Sequence, residues 1–400
     1  MNIKKYYLRQ FFQGFMPIYP IYMILFQSKN LTLPEISLLL AIWSLPVVVL
    51  EIPTGILSDR WSRKNMIILG GVLQAACFFT WIFSNGFALY AIGFVFWGIS
   101  SAFLSGSEEA LLFDSLKNTG KEDGFDFCLG RGRFLSGIST MIASILGGLI
   151  GMHLGFQYAL YFSVLSGMIA TVIACTYKEI NHYKNRLKQK SENDGDSNTL
   201  SEALLFLIKN KKIFIFTLLA VLVVGVAGVL DEYDQLIAKG FGLTTDTIGI
   251  WTAIRFALIA FGAYFTHKIR IVSERLLRRR DQLYTLGFLC IISAAFLLLT
   301  GLIKGVEALG CIGLFYMIMS AGDVLQEDYI QQQIDNEGRS TVHSMISLVY
   351  NLYGIVCYGL MAVLLQITDL MGALLWVAAY MVVLTLALSI LYRRVRQKAK

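Results

Sequence analysis

EIPTGILSDRWSRK, residues 51–64, sets five charges in fourteen positions between the apolar runs SLLLAIWSLPVVVL and NMIILGGVLQAACFFTWIF. Each flanking run approaches the ~20 residues that carry a helix across a bilayer. The charged knot therefore reads as a tight turn at one membrane face. Outward from it, the same alternation of long apolar runs and short polar breaks fills the chain.

Of 400 residues, 56% are hydrophobic and only 15% charged, against about 25% charged in a soluble domain. Mean hydropathy is +0.62. Lipid satisfies such a surface where water does not. Twelve spans are expected, at 8–28, 35–57, 65–84, 87–113, 132–151, 156–177, 213–235, 245–267, 282–302, 306–326, 341–365 and 371–392. The runs are continuous rather than alternating, which excludes a membrane β-barrel; backbone groups in hydrocarbon then require helices. The predicted fold is an all-α polytopic membrane protein with twelve transmembrane helices.

Charge orients it. Thirty of the 34 Lys and Arg residues fall in segments on the N-terminal side of the membrane. Lys29, Lys239 and Lys304 lie opposite, and Arg255 lies inside a span. The positive-inside rule places both termini in the cytoplasm and the chain in the cell (inner) membrane. The first span lacks a small-residue cleavage site and is expected to be retained. The net charge of +7 belongs to this bias and calls for no nucleic-acid partner. There is no G-x-x-x-x-G-K-[ST] nucleotide motif. Six scattered cysteines and four histidines show no metal-ligand spacing, so no cofactor or metal is expected.

The one long hydrophilic stretch, residues 178–212, divides the spans six and six. Four regions follow: a six-helix bundle at 1–177, a cytoplasmic linker at 178–212, a second bundle at 213–392 and a basic tail at 393–400. Thr199 and Glu202 form a capping box that predicts a short interfacial helix at the linker's end. A worn duplication runs across the divide. GAYFTHKIR from Gly262 echoes GILSDRWSR from Gly55, and FLSGSEEALLFD echoes IMSAGDVLQEDY.

Between spans two and three the chain resembles the major facilitator superfamily. That family's loop carries glycine, three residues, Asp, Arg, any residue, Gly and two basic residues. Gly55, Asp59, Arg60, Arg63 and Lys64 match, and Ser62 replaces the second glycine. The resemblance implies two pseudo-symmetric six-helix bundles, alternating access and a gate built on this loop. Gly55 would let two helices approach closely. Asp59 would face the N-terminal end of the eleventh span, near Ser340 or Thr341, and Arg60 or Arg63 would pair with Asp114. The bland alternative is a solvated turn. SGSEEALLFDSL (105–116) looks like the end of the family's fourth helix, and FMPIYPIY resembles the first helix of its twelve-span drug/proton antiporters. Two departures weaken the antiporter likeness: Phe94 stands where those proteins have an arginine, and Ala143–Ser144 where they have Gly-Pro.

Ionisable groups inside lipid are costly and mark function by default. Arg255 lies about 15 Å into span eight, with Asp231, Glu232 and Asp234 of span seven as expected partners. It either anchors substrate or forms a permanent ion pair. Glu51, Glu108 and Glu109 are candidate proton carriers, expected at comparable depth, with Arg131 and Arg133 neutralising them in alternation with a proton; Asp323 is the second-half counterpart. Gln13, Tyr22, Tyr350 and Asn351 are candidates for a substrate cavity. No nucleophile, base or metal set points to an enzyme. The chain reads as a secondary active transporter whose partners are a small-molecule substrate, protons and the bilayer. Its expected work is proton-coupled efflux of a hydrophobic or amphipathic molecule. The alternative is uptake of a small anionic or zwitterionic metabolite anchored by Arg255.

Overall fold

A computed structural model describes residues 2–121, 124–180, 211–278, 281–333 and 339–398. Among the described residues every regular element is helical. The chain divides into two compact units, Met1–Asn193 with Thr244–Ala253, and Asp194–Leu243 with Ile254–Lys400. The predicted interfacial helix at 199–208 lies outside the described residues.

The first unit begins with α1 (Asn2–Gly14), a 3-10 turn at Tyr19–Ile21 and α2 (Tyr22–Ser28). The predicted single span 8–28 is thus a broken helix that starts six residues early. Pro17 and Pro20 are the physical reason, since neither supplies a backbone N–H to a helix. There follow α3 (Leu33–Arg60), α4 (Arg63–Ile82), α5 (Phe87–Leu104), α6 (Ser107–Lys117), α7 (Phe125–His153) and α8 (Phe156–Cys175). A capping box starts α3: the Thr32 hydroxyl accepts from the Glu35 N–H, and Glu35 accepts from the Thr32 N–H at 2.7 Å. Predicted span four also breaks. Gly106 has φ +68, a left-handed conformation that glycine adopts without strain, and it separates α5 from α6.

The second unit opens with α9 (Lys211–Leu219), a π-helical turn at Ala220–Val224 and α10 (Gly225–Gly240). It continues with α11 (Thr245–Tyr264), whose first turns group with the first unit. Then come α12 (Thr266–Leu277), α13 (Gln282–Leu302), α14 (Ala308–Gln333), α15 (Arg339–Ile367) and α16 (Leu370–Lys398). Predicted span eight therefore stops at Tyr264, and a second helix takes over at Thr266. α16 runs into the predicted basic tail as far as Lys398, and Arg396 bonds to Asp281, the N-cap of α13, at 2.5 Å.

Among the described residues eleven helical stretches are long and apolar enough to cross a membrane, and the broken helix predicted as the first span is not one of them. Outward faces are apolar: Val172, Leu360 and Val383 are each more than half exposed. Within the first unit, α4 packs on α5 and α8, and α1 packs on α7 and α8. Lipid gives no hydrophobic drive between helices, so close approach of small residues does this work. A Cβ on Gly71 would lie 2.3 Å from Thr171 Oγ1, and one on Gly98 would lie 2.3 Å from the Trp43 carbonyl oxygen. In the second unit α13 packs on α14 and α16.

Candidate functional site

Three buried arginines organise the site residues, and each meets an acid from a different helix. The first is in the loop motif. Ser62 is the N-cap of α4, its hydroxyl accepting from the Asn65 N–H at 3.1 Å. One residue on, Arg63 reaches α6, where its Nη1 pairs with Asp114 and donates to the Ala110 carbonyl at 3.0 Å. Arg63 and Asp114 are both buried. Of the two arginines proposed for Asp114, Arg63 is placed against it. The Lys64 N–H donates to Glu179 at 3.0 Å. Asp59 and Arg60 lie outside the described side chains, as do Ser340 and Thr341. A Cβ on Gly55 would meet nothing within 4 Å among the described residues.

The second arginine was missed. Arg9 is 0% exposed on α1 and forms an ion pair with Glu108 of α6. Polar contacts extend this pair in both directions. Gln10 Nε2 donates to Glu108 at 2.8 Å, and Arg9 Nη2 donates to Gln13 Oε1 at 3.2 Å. Gln13 in turn donates to Gln74 of α4, whose amide contacts Met16 Sδ at 3.2 Å. A small cavity opens on Glu108, lined also by Tyr6, Ser115 and Tyr177. The partner of Glu108 is therefore Arg9 rather than Arg131 or Arg133. Arg133 pairs instead with Glu109 at 3.0 Å between exposed side chains, and Arg131 lies over the Tyr7 ring. The expected common depth of Glu51 and Glu108 also fails. Ser107 donates to Ser58 at 2.9 Å, which sets the start of α6 seven residues, about 10 Å, along α3 from Glu51. Glu51 is half-buried.

The third is Arg255 on α11, 2% exposed. It pairs with Asp231 of α10 and, through Nε at 3.2 Å, with the buried Asp234 one turn later. Its guanidinium also lies 5.2 Å from the ring centre of Tyr316 on α14. Nearby, Tyr350 of α15 covers α10: a Cβ on Gly228 would sit 2.9 Å from its hydroxyl. Asn351 is half-buried, and Asp323 is exposed on α14. Leu222, inside the π-helical turn, accepts hydrogen bonds from Tyr353 at 2.8 Å and Tyr380 at 3.0 Å.

Tyr22 is corrected from cavity residue to core residue. It is 1% exposed, packed against Phe26, Trp81, Phe94 and Trp97. Phe94, noted for replacing an arginine, belongs to that same aromatic cluster. Among the described residues no group of three or more His, Cys, Asp or Glu is arranged to hold a metal ion.

Helices long and apolar enough to cross a membrane, a charged loop after the second predicted span and ionisable groups buried between helices fit the family that the loop motif resembles. A family model described as Major Facilitator Superfamily matches residues 9–358. The chain belongs to the Major Facilitator Superfamily. The transporter is 22% identical over 275 residues to the uncharacterized MFS-type transporter YxaM of Bacillus subtilis (strain 168), covering 67% of this chain and 64% of that one. Among solved structures it resembles the nucleoside transporter NupG, with TM-score 0.75, 16% identity and coverage of 98% and 99%. An auto-inhibited POT family peptide transporter matches with TM-score 0.73 and 14% identity, covering 98% and 96%. Identities this low carry the fold alone. The relatives it matches are named as transporters, and the chain spans just under two thirds of the length of YxaM.

Two of its site residues had different visibility in the sequence. Arg9 stands with Asn2, Tyr6 and Gln13 at positions 2, 6, 9 and 13, one face of a helix. That stripe would have exposed it had α1 been started at Asn2. Glu179 gave no signal, being one acid in a hydrophilic linker.

Proposed function

We propose that the transporter is a proton-coupled secondary carrier working by alternating access, with Glu108 as the carboxylate that takes the coupling proton and Arg9 as the cation competing for it. The observation supporting this is the Arg9–Glu108 pair: a wholly buried guanidinium held by one half-buried acid that borders a cavity. Buried, a proton and a guanidinium compete strongly for one carboxylate, because little solvent screens the choice. On this reading both termini are cytoplasmic, and the cargo is a hydrophobic or amphipathic small molecule moved outward. The test uses proteoliposomes with an imposed pH gradient, screened with lipophilic drugs, nucleosides and dipeptides. Glu108→Gln should abolish gradient-driven accumulation while solute counterflow persists, and Glu108→Asp should retain part of the driven flux. Undiminished driven flux in Glu108→Gln refutes the coupling.

A second reading is favoured by the composition of the Arg255 cluster. One guanidinium between two carboxylates offers both signs of charge, which suits the zwitterionic half of the metabolite alternative better than a simple anion. On this reading the substrate carboxylate meets Arg255 and its ammonium meets Asp231 or Asp234; binding measurements on Arg255→Ala decide it.

A further inference from the structure

Ser62 stands where the family loop has glycine, and its side chain has work there. Besides capping α4, the Ser62 hydroxyl donates to Glu179 at 2.5 Å. Glu179 also accepts from the Arg63 N–H at 3.2 Å and the Lys64 N–H at 3.0 Å. A carboxylate thus sits on the free N–H groups of the first turn of α4, where the helix dipole favours it. The residue before it is fixed as well. The Lys178 N–H donates to Asn2 Oδ1 at 3.0 Å, and Asn2 Nδ2 donates to the Lys178 carbonyl and to Ser115 Oγ, each at 2.9 Å.

Followed in order, these bonds close a ring. Ser115 of α6 holds Asn2 of α1, Asn2 holds Lys178 beyond α8, and Glu179 holds the first turn of α4. From that turn Arg63 returns to Asp114, the chain neighbour of Ser115. Asn2, Ser62, Arg63, Asp114 and Ser115 are buried, whereas Lys178 and Glu179 are exposed. In sequence, the hydrophilic stretch 178–212 begins in this ring. We propose that Glu179 is a positioning residue: it fixes the backbone from which Arg63 reaches Asp114, and so ties the linker to the loop motif.

This goes beyond the coupling proposal, and its test needs no substrate. Amide hydrogen exchange is followed by mass spectrometry on the full chain in nanodiscs. Losing a helix cap should speed exchange at residues 63–66 roughly fivefold in Glu179→Gln. If Glu179 acts through Arg63, residues 110–118 of α6 should also exchange faster, although the Glu179 carboxylate bonds to the first turn of α4. Reciprocally, Asp114→Asn should loosen residues 63–66, since energetic coupling runs both ways. Glu179→Asp should fall between wild type and Glu179→Gln. Ser62→Gly, which installs the family's residue, should give roughly a twofold change in both windows and decides the matter if Glu179→Gln does not fold. Faster exchange confined to residues 63–66, or no change in either window, overturns the proposal.

Discussion

Replacing Glu108 by Gln should damage the folded protein more than replacing Arg9 by Gln, an order opposite to what the sizes of the two side chains suggest. The Arg9 side chain is 0% exposed, and that of Glu108 is 16% exposed. Removing the carboxylate charge leaves a cation with no access to water and Gln13 as an amide partner at 3.2 Å. Stripping the partner from a buried ion costs about 3–5 kcal/mol, of which a replacement amide recovers about 1. Glu108→Gln should therefore cost about 3 kcal/mol. Removing Arg9 leaves a carboxylate with some water and the Gln10 amide at 2.8 Å, so Arg9→Gln should cost about 1–2 kcal/mol. The double variant should resemble Arg9→Gln alone, a coupling of about 3 kcal/mol. Equilibrium unfolding in mixed micelles, read by tryptophan fluorescence, measures all three. The reasoning fails if Arg9→Gln is the costlier change or if the double variant equals the sum of the singles.

At the π-helical turn, Tyr353→Phe and Tyr380→Phe should each cost less than about 1 kcal/mol, because either hydroxyl alone still satisfies the Leu222 carbonyl. The double variant should cost more than the sum in the same unfolding assay. For Arg255→Ala, a zwitterionic substrate should lose at least tenfold in affinity by isothermal titration, while a neutral analogue loses nothing. Equal losses for both would point to a purely structural Arg255.

The spans were legible because lipid imposes one severe requirement, a run of about 20 apolar residues, that few other forces override. The charge knot at 51–64 and the acids of α10 were legible for the same reason: polar residues stand out against a uniform background. What the sequence hid depended on geometry that a linear count ignores. Arg9 was counted with the flanking basic residues because it stands at the very edge of the expected span 8–28, yet the helix starts at Asn2 and carries Arg9 inward. The first and fourth spans look continuous in hydropathy, whereas Pro17, Pro20 and Gly106 act on backbone torsions that hydropathy does not weigh. Glu179 became meaningful only once the end of α8 was placed beside the start of α4. Tyr22 was misread since an aromatic residue on a transport helix packs or binds with the same composition.

Comparing the three buried arginines gives an independent reason to put coupling at Glu108. Arg63 has an acid, a backbone carbonyl and a ring of contacts holding its own backbone, so a proton on Asp114 would leave most of that arrangement intact. Arg255 has two acids, and either one can be neutralised while the other holds the charge. Among the described residues Arg9 has one acid, with Gln13 as a neutral neighbour. Neutralising Glu108 therefore changes the balance around its arginine more than it would at either other site. Arg9 must then either bear an uncompensated charge or move toward a different partner. A carrier converts a proton into motion only where protonation leaves the existing conformation untenable, and of the three pairs this one comes nearest to that condition.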